Sequence, residues 1–384
     1  MEESNPKDRG NMRDRVRQFV AEELEPISLQ VEKEGRIPDE IVDRMRELGL
    51  FGLSIPQKYG GLGLSTLDEI TVYEELTKTN ACFRSRIGTS NSIGSMGILL
   101  DGTEEQKNTY LPRIAAGQWT AAFALTEPNA GSDAANIQCS AVLDGDQWVL
   151  NGTKQFITNG DCASVFTTIA VTDEQKRARG GVTAFVIEKD FAGFAVSAPD
   201  RKMGLKGSAT NEIVLRNCLV PKENVIGGMA MVGKGFQTAM RVLDKGRLTM
   251  GACALGASQK LLDQCVAHVK DQIRSGKSKD DLQAAQFSLA DMATEIFAAR
   301  QMLYDTARLR DTGKNVTHEA SMVKLFCTEM ASRIADRAMD MLGDDGYLTN
   351  SKVEMFLRDV RLYRIFEGTS EIQRMVISRK LLRD

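Results

Sequence analysis

Three stretches of the chain combine residue types that could do chemistry. Near the C-terminus, RDVRLYRIFEGTSEIQRMVI (358–377) sets Glu367 between an apolar pair, Ile365 and Phe366, and a flexible pair, Gly368 and Thr369. That flexible pair marks a helix break, with Ser370 and Glu371 starting the next helix. A carboxylate held beside apolar side chains has its ionised form disfavoured, so its pKa rises toward the range that suits proton abstraction. ALTEPNAGSD (124–133) offers hydroxyls at Thr126 and Ser132, a loop stiffened by Pro128, and close backbone approach to a flat ligand at Gly131. In NGTKQFITNG (151–160), Phe156 and Thr158 would share one face of a strand, where they could stack on and hydrogen-bond a planar ring. Each stretch alone has a plainer reading. The first loop could be only a turn between strands, and most glutamates in a chain that is 26% charged are simply solvated.

Composition narrows the chemistry. The 49 basic and 52 acidic side chains nearly cancel and form no basic cluster, so neither nucleic acid nor a membrane surface has an electrostatic footprint, and a small-molecule partner is expected. With only two histidines, His268 and His318, both in charged helix-like surroundings, a Ser-His-Asp triad and a His-ligated metal site are excluded, and both are expected on solvated helix surfaces. Seven scattered cysteines, odd in number and without a CxxC, fit a reducing cytoplasm rather than a disulfide framework. The charged start, MEESNPKDRGNMRDR, lacks the apolar core of a secretion signal, and no apolar run reaches the ~18 residues needed to span a bilayer.

Three kinds of element must position these residues. Up to residue 118 the pattern is helical: Val16, Phe19, Val20 and Leu24 recur at helical spacing, as do Ile41, Met45 and Leu48 behind the Pro38-Asp39 start signal, with IPQKYGGLGLS (55–65) a glycine-rich loop. From about 119 to 228 short β-rich runs follow, SVFTTIAV (164–171), VTAFVIE (182–188) and NEIVLRNCLV (211–220), punctuated by turns expected at Asp144-Gly145 and Asn151-Gly152. After Pro221 the remaining 163 residues contain no proline, which predicts long helices over 229–384. Helices flanking a β segment leave a cleft where the two textures meet.

The three chemical stretches occur in order with ELGLFGLSIPQKYGGLG (47–63), EEQKNTYLPRIAAG (104–117), KMGLKGSATNEI (202–213), VPKENVIG (220–227) and GKGFQTAMRVLDKGR (233–247). Over nearly its whole length the chain resembles the acyl-CoA dehydrogenase family. The resemblance implies an α+β architecture: an N-terminal helical domain (1–118), a central β-barrel-like domain (119–228) and a C-terminal four-helix bundle (229–384), as a homotetramer or homodimer with FAD in the cleft. It places Phe123, Leu125, Thr126, Gly131, Ser132, Phe156, Ile157, Thr158, Gly368 and Thr369 against the flavin, and Arg274, Gln283 and Gly343 on the rest of FAD. Ser132, Asp244 and Arg247 would line the acyl-thioester channel. Glu367 matches the family's usual base. A subset of the family carries the base on the helix near Asp244, but Gly246 stands there and cannot accept a proton. A glutamate base also argues against the oxygen-using nitroalkane oxidases, which use aspartate.

By the same resemblance, Glu367 takes the α-proton of an acyl thioester while the β-hydride passes to the flavin, with the enolate held by a ribityl hydroxyl and the Glu367 N–H. The electrons then leave to an electron-transfer flavoprotein. Arg84 matches an arginine with which glutaryl-CoA dehydrogenases pair the distal carboxylate, implying an acidic or polar acyl tail; its other possible places are solvent or a pair with Glu74. Arg86 is read as structural. Two segments depart from the family. QIRSGKS (272–278) replaces an Arg-x-Gln-Phe-Gly-x-Pro loop, and DMLGD (340–344) puts aspartates where a Gln-x-x-Gly-Gly run approaches the ADP half of FAD. Negative charge there repels pyrophosphate, which Arg274, Lys277 and Lys279 could offset. These departures allow ordinary catalysis with altered FAD contacts, action on an acyl chain tethered to a carrier protein, or a non-catalytic acyl-thioester scaffold.

Overall fold

A computed structural model describes residues 6–382; the first five residues of the charged N-terminal stretch and the last two of the chain lie outside it. Seven helices come first: α1 (Pro6–Phe19), α2 (Glu25–Glu34), α3 (Asp39–Glu47), α4 (Thr66–Leu76), α5 (Cys82–Asn91), α6 (Met96–Asp101) and α7 (Glu104–Ala115). The expected apolar faces are buried: Val16, Phe19, Val20 and Leu24 on the first helix and its continuation, Ile41 and Met45 on α3. Thr103 and Gln106 close a reciprocal capping box at the start of α7, satisfying N–H groups that a helix end otherwise leaves bare.

Seven strands follow: β1 (Ala121–Ala124), β2 (Ser140–Asp144), β3 (Gln147–Thr158), β4 (Val165–Val171), β5 (Val182–Glu188), β6 (Phe194–Val196) and β7 (Thr210–Pro221). They form one mixed sheet in the order β1-β4-β2-β3-β7-β6, with β5 antiparallel along β4. Asp144-Gly145 turns the chain between β2 and β3 as expected, Gly145 at φ 60°. Asn151-Gly152 does not turn. It lies inside β3 at a shift in register with β7, where a Cβ on Gly152 would meet Cys139 at 2.8 Å, and the Asn151 side chain accepts the Asn217 N–H at 2.8 Å across the strands. A glycine here answers close approach within a sheet, a bulge rather than a corner.

The C-terminal part comprises α8 (Gly235–Arg274), α9 (Gln283–Asp311), α10 (Thr317–Leu342), the short α11 (Asp344–Tyr347), α12 (Lys352–Tyr363) and α13 (Ser370–Leu381). At 40 residues α8 runs about 60 Å. One apolar core joins the first helices to the last: Leu24, Tyr73 and Phe83 bury with Leu255, Leu303, Ile334 and Phe356. At Gly256 α8 approaches α4 so closely that a Cβ would sit 2.2 Å from the Glu74 carbonyl. A second core lies between α6, α7 and the sheet, and a third, around Trp148, Phe166 and Phe185, is built mainly from the strands. His268 and His318 are half-buried rather than fully solvated. Among the described residues no helix is long and apolar enough to cross a membrane, and no cluster of His, Cys, Asp or Glu could hold a metal.

Candidate active site

Glu367 sits in the turn between α12 and α13, the break expected from Gly368-Thr369. Thr369 opens α13, its hydroxyl accepting the Ile372 N–H at 3.3 Å. Glu367 and Gly368 both take left-handed backbone, φ 55° and 93°. For a glutamate this costs about 1–2 kcal/mol, so contacts around the turn must hold it. Lys324 Nζ donates to the Gly368 carbonyl at 2.6 Å, the Gln373 side-chain amide donates to it at 2.9 Å, and the Ser370 N–H donates to the Arg364 carbonyl at 3.0 Å.

The turn aims the carboxylate at α8. A Cβ on Gly246 would lie 1.5 Å from Glu367 Oε2, so glycine is what leaves that space open. Glu367 as a residue is partly exposed, but Oε2 is closed to solvent and has no hydrogen-bond partner. Burial pushes its pKa up, while the charges of Arg84, Lys324 and Arg247 pull it back. The Glu367 backbone N–H finds no acceptor among the described residues.

Arg84 on α5 is 7% exposed. It donates to Thr249 Oγ1 at 2.6 Å and lies 5.0 Å over the Tyr73 ring, but its Nε has no acceptor and no carboxylate lies within ion-pair distance among the described residues. The pair with Glu74 is not formed, because Glu74 accepts from Arg300 at 2.9 Å and from Tyr304 at 2.6 Å. Solvent is excluded as well. The Tyr363 hydroxyl, buried and also without a partner, adds a second unsatisfied polar group on this side. Arg86 instead donates to Thr120 and lies over the Phe51 ring. Asp244 accepts from Arg247 at 2.6 Å and from Thr317 at 2.5 Å, so the pair stands together on α8.

On the sheet side, the Thr126–Ser132 loop is tied to β3. The Gln155 N–H donates to the Thr126 carbonyl at 2.8 Å, and Lys154 Nζ, fully buried, donates to Glu127 at 2.7 Å and to the Leu125 carbonyl at 3.0 Å. A bulge beside Phe156, at φ 59°, leaves its ring 61% exposed while Ile157 is buried. The bulge interrupts the simple alternation expected to set Phe156 and Thr158 on one face. The hydroxyls of Thr126, Ser132 and Thr158 make no hydrogen bond among the described residues, and a Cβ on Gly131 would meet nothing nearer than 4.0 Å. Phe123 and Leu125 are buried at and just after β1. Asn159, at φ 62°, joins this half to the Arg84 half by donating to the Ser85 carbonyl at 3.0 Å and to Thr89 at 2.8 Å.

Arg274, Gln283 and Gly343 are not brought to this place by the single chain. Arg274 is exposed at the end of α8, paired with Asp271; Gln283 is exposed at the start of α9; Gly343 follows α10 with φ 55° and open space around it.

Models of the N-terminal, middle and C-terminal domains of acyl-CoA dehydrogenase match residues 6–118, 122–218 and 233–382. The chain belongs to the acyl-CoA dehydrogenase family. It is 40% identical over 369 residues to the caffeyl-CoA reductase-Etf complex subunit CarC of Acetobacterium woodii, covering 96% of each chain. Butyryl-CoA dehydrogenase from Megasphaera elsdenii superposes with a TM-score of 0.94 at 35% identity over the whole of both chains. A glutaryl-coenzyme A dehydrogenase in complex with glutaryl-CoA does so at 0.91 and 33%, covering all of this chain and 97% of the other.

For this acyl-CoA dehydrogenase, sequence reasoning missed Lys324, Asn159, Tyr363 and the Lys154–Glu127 pair. The signal for the last was faint: a lysine and a glutamate inside otherwise apolar or hydroxylic runs, NGTKQFIT and ALTEP.

Proposed function

We propose that the chain is an FAD-dependent acyl-CoA dehydrogenase in which Glu367 removes the α-proton of an acyl thioester whose chain is short or is polar or dicarboxylic. The observation that carries this reading is the Glu367 carboxylate itself, its Oε2 closed to solvent and unpartnered, held over Gly246 by a strained turn. A surface carboxylate has no need of such placement.

The ionised carboxylate takes the proton from the carbon next to the thioester carbonyl. Negative charge then gathers on the thioester oxygen, where the unpaired Glu367 N–H is a fixed donor; fixed donors stabilise developing charge without reorganising. The charges of Arg84, Lys324 and Arg247 favour the ionised form of the base, against the burial that raises its pKa. The free hydroxyls of Thr126, Ser132 and Thr158, the exposed Phe156 ring and the open space at Gly131 fit a flat, hydrogen-bonding ring system, and these residues with Gly368 and Thr369 would hold the flavin of FAD. FAD supplies the acceptor for the hydride leaving the β-carbon, so the thioester loses one proton and one hydride and becomes an enoyl thioester.

Arg84 supports the polar-tail reading, because an unpaired buried guanidinium is costly until an anion meets it. An electron-transfer flavoprotein is the proposed acceptor of the electrons, in line with the complex that CarC's name records. A homotetramer would cover Phe287 and Phe297, both more than 60% exposed on α9, and set Arg274, Gln283 and Gly343 against another copy's cofactor. The test is an anaerobic absorbance spectrum of the purified protein with butyryl-, isobutyryl- and glutaryl-CoA. Flavin bands that bleach with one of them support the reading. A protein that takes up no flavin even when incubated with FAD refutes it.

A further inference from the structure

Lys324 is a buried cation near the base whose own hydrogen bond does not go to the base. It lies on α10, fully shielded from solvent, with no carboxylate within ion-pair distance among the described residues. Its one hydrogen bond goes to the carbonyl of Gly368, at 2.6 Å. An ammonium has three donors and is expensive to bury, so a single backbone acceptor is a poor reason to keep it. The Gly368 carbonyl, however, follows the two left-handed residues, Glu367 and Gly368, that aim the base at Gly246.

We propose that Lys324 is a positioning residue for the base: its ammonium clamps the Gly368 carbonyl, fixing the Glu367-Gly368 turn, and its charge favours the ionised carboxylate. This rests on the reading of Glu367 as the base. Gln373 on α13 grips the same carbonyl at 2.9 Å but brings no charge, so the two clamps differ in what their loss would do. The charged groups that face Lys324 are Glu367 in the turn, Arg247 on α8, Glu329 on α10 itself and Glu371 on α13. Glu329 is already engaged by Arg364 at 2.9 Å and by the Ser370 hydroxyl at 2.6 Å, and Glu371 is exposed, which leaves Glu367 as the carboxylate that the Lys324 charge serves. Burial draws the Lys324 amine down to about 8, so the clamp weakens in alkaline solution.

The experiment compares wild type, Lys324→Met, Lys324→Arg and Gln373→Leu as flavin-loaded proteins, with whichever of butyryl- and glutaryl-CoA bleaches the wild type. Lys324→Met is expected to slow turnover about 10- to 100-fold, as a misplaced base does, while KM stays within about threefold. Loss of the cation raises the pKa of Glu367, so the acid limb of the kcat profile moves to higher pH, by about one unit. Lys324→Arg returns the limb toward wild type. Gln373→Leu slows turnover without moving the limb. Circular dichroism and flavin content report folding, and if Lys324→Met does not fold, Lys324→Gln takes its place. Wild-type turnover and an unmoved limb in the Lys324 variants would overturn the proposal while leaving Glu367 as the base, and so would failure of both Met and Gln variants to fold, which assigns Lys324 to structure. A wild type that bleaches with neither thioester counts against the base itself.

Discussion

Replacing Gly246 by alanine tests the placement of the base with one methyl group. The new Cβ would fall 1.5 Å from Glu367 Oε2, 2.6 Å from its carboxyl carbon and 3.2 Å from Oε1. A carbon and an oxygen that are not bonded stay at least about 3.3 Å apart, so the nearer oxygen must retreat by close to 2 Å. A displacement of ~1 Å in a reacting group slows a reaction about 100-fold, so turnover should fall by at least about that factor. Stability should move the other way. Gly246 lies inside α8, where alanine is favoured over glycine by about 0.5–1 kcal/mol, and the atoms that the methyl displaces are the end of a flexible side chain whose Oε2 has no hydrogen bond to lose. Anaerobic stopped-flow bleaching of the flavin follows the reductive step, and thermal unfolding gives stability. A Gly246→Ala protein that reduces its flavin within threefold of the wild-type rate would refute the placement of Glu367 over this glycine. A protein both slow and markedly less stable would show that the methyl disturbs packing instead.

Glu367→Gln should keep its flavin and lose about 100- to 10,000-fold in turnover, together with α-proton exchange in deuterated water followed by NMR. Arg84→Ala should weaken catalytic efficiency toward glutaryl-CoA about 10- to 100-fold more than toward butyryl-CoA, because a charge-assisted contact is worth about 1.5–3 kcal/mol; equal losses on both would remove the carboxylate-tail reading. Because burial raises the Glu367 pKa and the base works ionised, kcat/KM should fall as pH drops through a value above the ordinary carboxylate range, and a profile flat down to pH 4 would contradict the buried base. Asp359, fully buried and accepting the Leu205 N–H at 2.6 Å, is pushed up to about 7 by burial. Its folded pKa is above its unfolded one, so its contribution is present below pH 3.8 and lost as pH rises toward 7. Asp359→Asn should therefore stabilise the protein at pH 8, by on the order of a few kcal/mol, and lose that advantage near pH 4 in urea unfolding.

Local patterns made the Glu367 turn and the texture of the three segments legible, because each depends on neighbours within a few residues. Asn151-Gly152 was misread because its glycine answers Cys139 across the sheet and its asparagine answers Asn217, partners that no window around residue 151 contains. Lys324 looks like any lysine on an amphipathic helix; only the arrival of Gly368, 44 residues later, shows what it does there. Arg84 was noticed for its type, but its burial without an acid could not be foreseen, since that depended on Glu74 being taken by Arg300, 226 residues away. Charge, unlike apolar periodicity, carries no mark in sequence of whether it will be buried.

The apolar core that unites α4 and α5 with α8, α10 and α12 has a consequence for how the chain is made. Tyr73 and Phe83 emerge from the ribosome long before Leu255, their neighbour in that core, and the whole β segment is synthesised in between. At 5–20 residues per second the first helices wait about 10–35 s before the C-terminal helices can complete that core. During that interval they are the part of the nascent chain most in need of a holdase. A transcript truncated after the sheet would leave them without the C-terminal helices that complete this core.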